Sequence, residues 1–367
     1  MNASLATMLG VGAGFLLLLW LCALAVDRGW IPTRITRHPL VYALALGVYA
    51  SAWAIYGSLE LAATSGYGYL TYYLGVAGAF LLAPVLLVPI QRMVRTHQLA
   101  SLADLFAFRY RSRWVGTLIT LVSLLAVLPL LALQVQTMGN AIYLMTGAAS
   151  PATLALVFCV LLALFDLTFV GRRRIDGQHD SLLAVMALSS LLKLSAMLGL
   201  GAFALFAVFE GPADVQAWLE GPGQAFQASV VQTDPAHWRS LLLLFFAGLM
   251  MPHIFHLVFT ETRSRHTLLQ ASWALPLFLL LMALPVPLIL WAGQRLGADG
   301  PLGTAYLAFG LSESVALQAL AFLAGLAATS ATTLLIALAL SGMLVNHVFL
   351  VAHPPEAHHD LYRWLRW

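Results

Sequence analysis

The sequence predicts an all-α polytopic membrane protein, on three observations. Sixty-one per cent of the residues are apolar and only 9% are charged, whereas a soluble chain carries about 25% charge. The apolar residues gather into nine runs, at 6–26, 39–62, 69–93, 114–145, 152–170, 181–209, 237–259, 270–293 and 314–351, of the length a bilayer requires. The arginines then alternate from loop to loop, as the loops of a multi-pass protein do.

Taken in order, the first run could be a signal peptide, since Ala23-Leu24-Ala25 resembles a cleavage site. The preceding MNASLAT has no positive side chain, however, and Arg28, Arg34 and Arg37 follow the run. That polarity suits an uncleaved anchor with its N-terminus outside. Arg92, Arg95, Arg109, Arg111 and Arg113 follow the third run, Arg172–Arg174 the fifth, Arg263 and Arg265 the seventh, and Arg363 and Arg366 the ninth. The intervening loops hold at most Arg239 and Arg295, so positive-inside counting puts the C-terminus in the cytoplasm. The net charge of +3 is spread over helix ends and gives no reason to expect a nucleic-acid partner. Cys22 and Cys159 lie in apolar runs, where a reduced thiol is the default.

The second run sets small residues (Gly47, Ala50, Ser51, Ala52) among Tyr49, Trp53 and Tyr56. Close packing of helices through small residues explains this. A helix interrupted in mid-membrane explains it equally, with bare carbonyls and aromatic walls forming a site. On the second reading, regular hydrogen bonding fails within 46–53. The following loop, HQLASLADLFAFRYRSR, carries a Ser101/Asp104 capping pair and an apolar face, which predicts a short cytoplasmic helix on the membrane surface. In the fourth run Gln134 and Gln136 are polar groups deep in lipid, suited to hydrogen bonds between helices or to a ligand. Asp166, near the end of the fifth run, can neutralise Arg172–Arg174.

The sixth run, Ser181–Phe209, contains Lys193 halfway along, and Lys193 is the only lysine in the protein. An ammonium at mid-bilayer costs at least about 2.5–3.5 kcal/mol and so faces a bundle interior or an aqueous cavity. It is either a packing lysine satisfied by hydroxyls and carbonyls or a functional cation. In the seventh run Pro252 can kink the helix, and His253 and His256, three apart, share a face. Without HExxH or a nearby cysteine cluster they suit structural or gating roles better than a metal. The ninth run holds Thr329, Ser330, Thr332 and Thr333. Ala328, Ala331 and Thr332 share one face, a small groove with an oxygen ligand, of the kind a dehydrated alkali ion requires. Pro354-Pro355 ends this helix, and the tail EAHHDLYRWLRW reads as amphipathic and interfacial.

HPLVYALALGVYASAWAIYGS, QLASLADLFAFRYRSR, GRRRIDGQHD, MPHIFHLVFTE and ATSATTLLIALALSGMLVNHVF together resemble the sodium:solute symporter family, in the form fused ahead of sensor histidine kinases. The resemblance implies the leucine-transporter fold, with two inverted five-helix repeats after one extra N-terminal helix. It divides the chain into 1–37 (extra helix and cytoplasmic loop), 38–210 (first repeat), 211–236 (extracytoplasmic loop) and 237–367 (an incomplete second repeat). The chain therefore looks truncated. It implies a bacterial inner-membrane location and a small-molecule solute such as an amino acid. It also implies kinase domains in cis, and sodium or protons as the coupling ion.

The family's sodium site falls on carbonyls at Gly47 and Ala50 and on Ala328, Ala331 and Thr332, with Ser330 and Lys193 beside it. A ligand site falls on Tyr49, Ser51, Trp53, Tyr56, Gln134 and His253. The family's acidic residue in the broken helix is Tyr49 here, and one of its site hydroxyls is Ala331. Lys193 is therefore expected at or against the sodium position, donating to carbonyls near Gly47–Ala50 and to Thr332 or Ser330, with Ser189 and Ser190 as local partners. Asp180 lies about 20 Å along the helix from Lys193 and cannot pair with it. A stand-alone transporter is the alternative to a sensor module. No clustered catalytic residues point to an enzyme.

Overall fold

A computed structural model of the protein describes residues 5–146, 150–170, 179–221, 235–297 and 314–352. These are helical, with no strand among them. The helix α1 (Leu5–Asp27) precedes the bundle. Then come α2 (Pro39–Leu46), α3 (Ser58–Ser65), α4 (Leu70–Leu81), α5 (Leu87–Thr96), α6 (Leu102–Tyr110), α7 (Arg113–Thr146) and α8 (Pro151–Val170). The rest of the bundle is α9 (Asp180–Phe203), α10 (Pro212–Glu220), α11 (Pro235–Ala247), α12 (Pro252–Phe255), α13 (Arg265–Ala283), α14 (Pro285–Arg295) and α15 (Val315–Leu344).

Six helical stretches are long and apolar enough to cross a membrane, and eight if each of two bent pairs counts as one. The bent pairs are Pro39–Tyr49 with Trp53–Leu81, at 68°, and Leu241–Met250 with Pro252–Thr260, at 54°. The nine runs of the sequence are thus not nine separate straight helices. The predicted run 69–93 divides at a turn over Leu82–Leu86, between α4 and α5. Pro84 stands in that turn, where it removes a backbone donor. The arginines at 172–174 and the tail from Pro354 lie outside the described residues.

The centre of the bundle is α15, buried along nearly its whole length. It packs on α9 and α7, while α9 also packs on α2 and α1. On the outside, α7 and α8 expose leucines such as Leu118, Leu125, Leu156 and Leu167. A face of that composition is stable only against lipid. The short helix α6 forms where the Ser101/Asp104 signature predicts it: Ser101 Oγ accepts from the Asp104 amide at 3.1 Å, and the Asp104 carboxylate accepts from Ala100 N at 3.0 Å. Asp104 also meets His347 Nε2 at 2.7 Å, tying α6 to the chain just beyond α15. Burial pushes the Asp104 carboxyl up, but these hydrogen bonds and the charge of His347 outweigh it and hold it below the ordinary range.

Candidate functional site

The break in the second run is built from backbone. After α2 the chain tightens into a 3₁₀ turn at Gly47–Tyr49, leaves helical geometry at Ala50 (φ −72°, ψ 82°), and resumes as a wide π-type turn at Trp53–Gly57. The expected loss of regular bonding within 46–53 is therefore present. Buried carbonyls at such a break need donors; Gly47 O and Tyr49 O each keep one local amide, Ala50 N and Ser51 N, at 2.9 Å, and long-range donors supply the rest. Lys193 Nζ donates to Gly47 O at 2.6 Å and to Ala50 O at 2.7 Å. Thr332 Oγ1 reaches Val48 O at 3.4 Å, and Tyr72 OH donates to Tyr49 O at 2.6 Å. On the other side of the break, Ala52 N donates to Gln134 Oε1 at 3.0 Å.

Lys193 is fully buried. Its ammonium lies on the two carbonyls, with the Phe278 ring centroid 6.0 Å away. Gly47 admits this approach by having no side chain: a Cβ there would stand 2.8 Å from both Phe278 and Ser190 Oγ. Of the other expected partners, Thr332 bonds mainly to Ala328 O, at 2.8 Å. Ser330 Oγ turns back to Leu326 O of its own helix, and Ser189 Oγ reaches Ala327 O. Helical hydroxyls commonly satisfy themselves in this way, so Lys193 draws on the broken helix and not on α15. Ala328 and Ala331 are buried beside these hydroxyls.

The second break follows α11. Gly248–Met250 forms a 3₁₀ turn, Met251 is extended, and Pro252 begins α12. The two breaks touch, because Tyr49 OH donates to Phe245 O at 3.1 Å. Trp53, Tyr72 and Phe245 pack as a cluster with ring centroids 4.9–5.4 Å apart. Tyr56 OH donates to Ala321 O of α15 at 3.0 Å. The hydroxyls of Tyr49 and Tyr56 are thus engaged with backbone, and what these residues offer a ligand is ring surface. Ser51 is buried at the first break.

Among the buried polar atoms near the breaks, Gln134 Nε2, His253 Nδ1 and Ser190 Oγ, which lies against Gly47, have no partner among the described residues. His253 is buried in α12, and His256 Nε2 lies 3.2 Å from Glu261 Oε1, where bonding widens to π type over His256–Thr260. No group of three or more metal-ligating side chains occurs among the described residues.

At the end of the bundle where α9 begins, Glu261 also accepts from His179 N at 3.1 Å and lies 3.0 Å from His179 Nδ1. Burial pushes this carboxyl up, yet the two histidines more than reverse that and hold it well below the usual range. Asp180 pairs with Arg37, at 3.2 Å, and with Arg263. Arg37 precedes α2, Asp180 opens α9 and Arg263 follows α12, so the network ties both discontinuous helices to α9. Sequence reasoning missed Tyr72, Phe245, Phe278 and Gly248. Apolar and aromatic residues in apolar runs carry no signal of contacts this distant.

Residues 34–366 match the model of the sodium:solute symporter family. No curated relative matches. A solved structure of a Na+-coupled sialic acid symporter, in a substrate-bound outward-open state, is similar in fold. It is 13% identical, and the match covers 98% of this chain and 78% of that one with a TM-score of 0.71.

Proposed function

This chain belongs to the sodium:solute symporter family, and from that premise we propose that it binds a small polar nutrient, such as an amino acid, between its two helix breaks and couples that binding to protons. The observation that carries this reading is the Lys193 ammonium on Gly47 O and Ala50 O. The family resemblance gives those carbonyls to sodium. A sodium ion there would stand beside a fixed positive charge. Two unit charges about 4 Å apart repel by about 4 kcal/mol at an effective dielectric of about 20, roughly three powers of ten in affinity. An amine can shed its proton to relieve that conflict, which a guanidinium barely can.

For the ligand, the support is the aromatic cluster of Trp53, Tyr72 and Phe245, together with the unpartnered Gln134 Nε2 and His253 Nδ1. An apolar wall with a few convergent polar atoms suits a small zwitterion or amide. In this reading residues 38–210 are the first five-helix repeat and 237–367 belong to the second. Residues 1–37 are an added helix and loop, and 211–236 are extracytoplasmic. The N-terminus is outside, in a bacterial inner membrane. The motifs shared with kinase-fused members support a role as the input module of a sensor histidine kinase. The family and fold support solute transport without signalling as the second reading.

The test is binding of a radiolabelled amino-acid panel to the full chain in lipid nanodiscs, with sodium replaced by choline at several pH values. Binding that is unchanged by choline and varies with pH is expected. A requirement for sodium overturns proton coupling.

A further inference from the structure

The corner between α6 and α7 gathers cations and aromatic rings that the site above does not use. Arg109 lies in the last turn of α6, Arg111 in the turn that follows, and Arg113 opens α7. All three are exposed, as are Tyr110 and Trp114 beside them. Asp104 is the one acid on either helix, and Ser101, Ala100 and His347 already engage it. The corner is also fixed in place. Helix α6 packs on α7, and Thr117 Oγ1, just inside α7, donates to His347 O at 2.6 Å. Arg111 is left-handed (φ 51°, ψ 39°), a conformation that glycine usually supplies after a helix. A glycine would make this turn at less cost, and the chain carries a long cation there instead.

On α7 the corner runs directly into a surface suited to lipid. Trp114, Leu118, Leu121 and Leu125 recur at helical spacing and share one face. Each is exposed, Trp114 by 69%. Large apolar side chains in such a stripe are stable against acyl chains. An amphipathic indole at the end of the stripe marks the level of the headgroups. Arg113 precedes that indole, and Arg111 stands two residues earlier. The group found at this level is phosphate, which a guanidinium can grip with two parallel hydrogen bonds. A soluble phosphate would use the cations and leave the stripe bare, whereas a phospholipid uses both.

We propose that the α6–α7 corner binds an anionic phospholipid, with Arg111 and Arg113 on its phosphate and its acyl chains along the Trp114–Leu125 stripe. Arg109 adds positive charge beside them. The three cations favour phosphatidylglycerol over phosphatidylcholine, whose choline carries a compensating positive charge. The contact lies on the outer surface of the bundle and does not depend on what the helix breaks bind.

The test is native mass spectrometry of the full chain in detergent, titrated with phosphatidylglycerol or phosphatidylcholine of the same acyl chains. Each guanidinium near an anionic headgroup is worth about fivefold in affinity. The tightest-bound lipid is expected to be phosphatidylglycerol, and Arg111→Gln with Arg113→Gln to weaken it by about 25-fold. Arg28→Gln with Arg34→Gln removes the same charge from another exposed loop and is expected to leave that lipid in place. Arg111→Lys with Arg113→Lys is expected to restore part of the preference, which separates lost charge from a disturbed turn. The proposal is overturned if phosphatidylglycerol shows no advantage, or if its advantage survives the glutamine pair at 111 and 113. An equal loss in the Arg28 and Arg34 pair also overturns it, by showing diffuse attraction to the whole surface. So does displacement by glycerol phosphate at the same concentration, which would mean that the acyl chains contribute nothing.

Discussion

The hydroxyl of Tyr49 fills the space that a side chain on Gly248 would need, and so the two discontinuous helices are keyed together at their breaks. The contact is steric and not conformational, since Gly248 does not lie in the left-handed region. Gly248→Ala should therefore overpack the junction and cost about 1–3 kcal/mol. Tyr49→Phe should cost about 1 kcal/mol for its lost hydrogen bond. With the hydroxyl gone, the next atom of that ring lies 3.1 Å from the added carbon, so the double variant should be more stable than the sum of the single effects implies. Thermal midpoints of the four proteins in detergent measure this, and strict additivity would show that the two residues are not in contact.

Beside the start of α9 the sign of a pH effect follows from Glu261. Its carboxyl is held below its unfolded value of about 4.3, despite burial, by His179 and His256. A depressed carboxylate contributes stability that is fully present above the unfolded value and is lost as pH falls toward the folded one. Glu261→Gln should lower stability by about 2–3 kcal/mol at neutral pH, and the gap to the wild type should narrow as pH drops below about 4. Denaturant midpoints at neutral and acid pH test it. A gap that widens in acid would mean the histidines are not the carboxylate's partners.

Lys193 was legible from the sequence because a lone lysine amid apolar residues has to find an interior solution, and carbonyls of an interrupted helix are the donor-poor groups that supply one. The interruption itself was only half legible. Gly47, Ala50 and Ser51 serve close packing as well as a break, and it is the long-range partners, the donors Lys193 and Tyr72 and the acceptor Gln134, that decide between them. Tyr72 caps a carbonyl 23 positions earlier, which no helical or strand periodicity encodes. The turn at Pro84 was hidden because the apolar composition continues across it.

Topology gives a test that does not depend on the site. The arginine alternation places the loops at 91–113, 171–180 and 260–269 in the cytoplasm and Asn2 outside. With Cys22 and Cys159 replaced, a cysteine at position 173 should resist a membrane-impermeant thiol reagent in intact cells and react after permeabilisation. A cysteine at position 2 should behave in the opposite way. Labelling of position 173 from outside would reverse the orientation.

Lys193 carries the sharpest expectation. Removing its ammonium strips a donor from Ala50 O and one of two from Gly47 O, which keeps the Ala50 amide at 2.9 Å; a carbonyl left buried and unsatisfied costs about 1–3 kcal/mol. Lys193→Met should therefore lower the thermal midpoint while still inserting in the membrane, since a methionine is better tolerated there than a charge. If the amine is the coupling group, ligand binding in Lys193→Met should also lose its dependence on pH. Lys193→Arg separates charge from proton exchange. The guanidinium can restore donors to the two carbonyls, and with them part of the lost stability, but it barely deprotonates. Binding in this variant should accordingly remain flat with pH. Equilibrium binding from about pH 5 to 9, on the three proteins in nanodiscs, gives the comparison. A pH dependence that survives in Lys193→Met would move the coupling to another group and leave Lys193 as a packing cation for the broken helix.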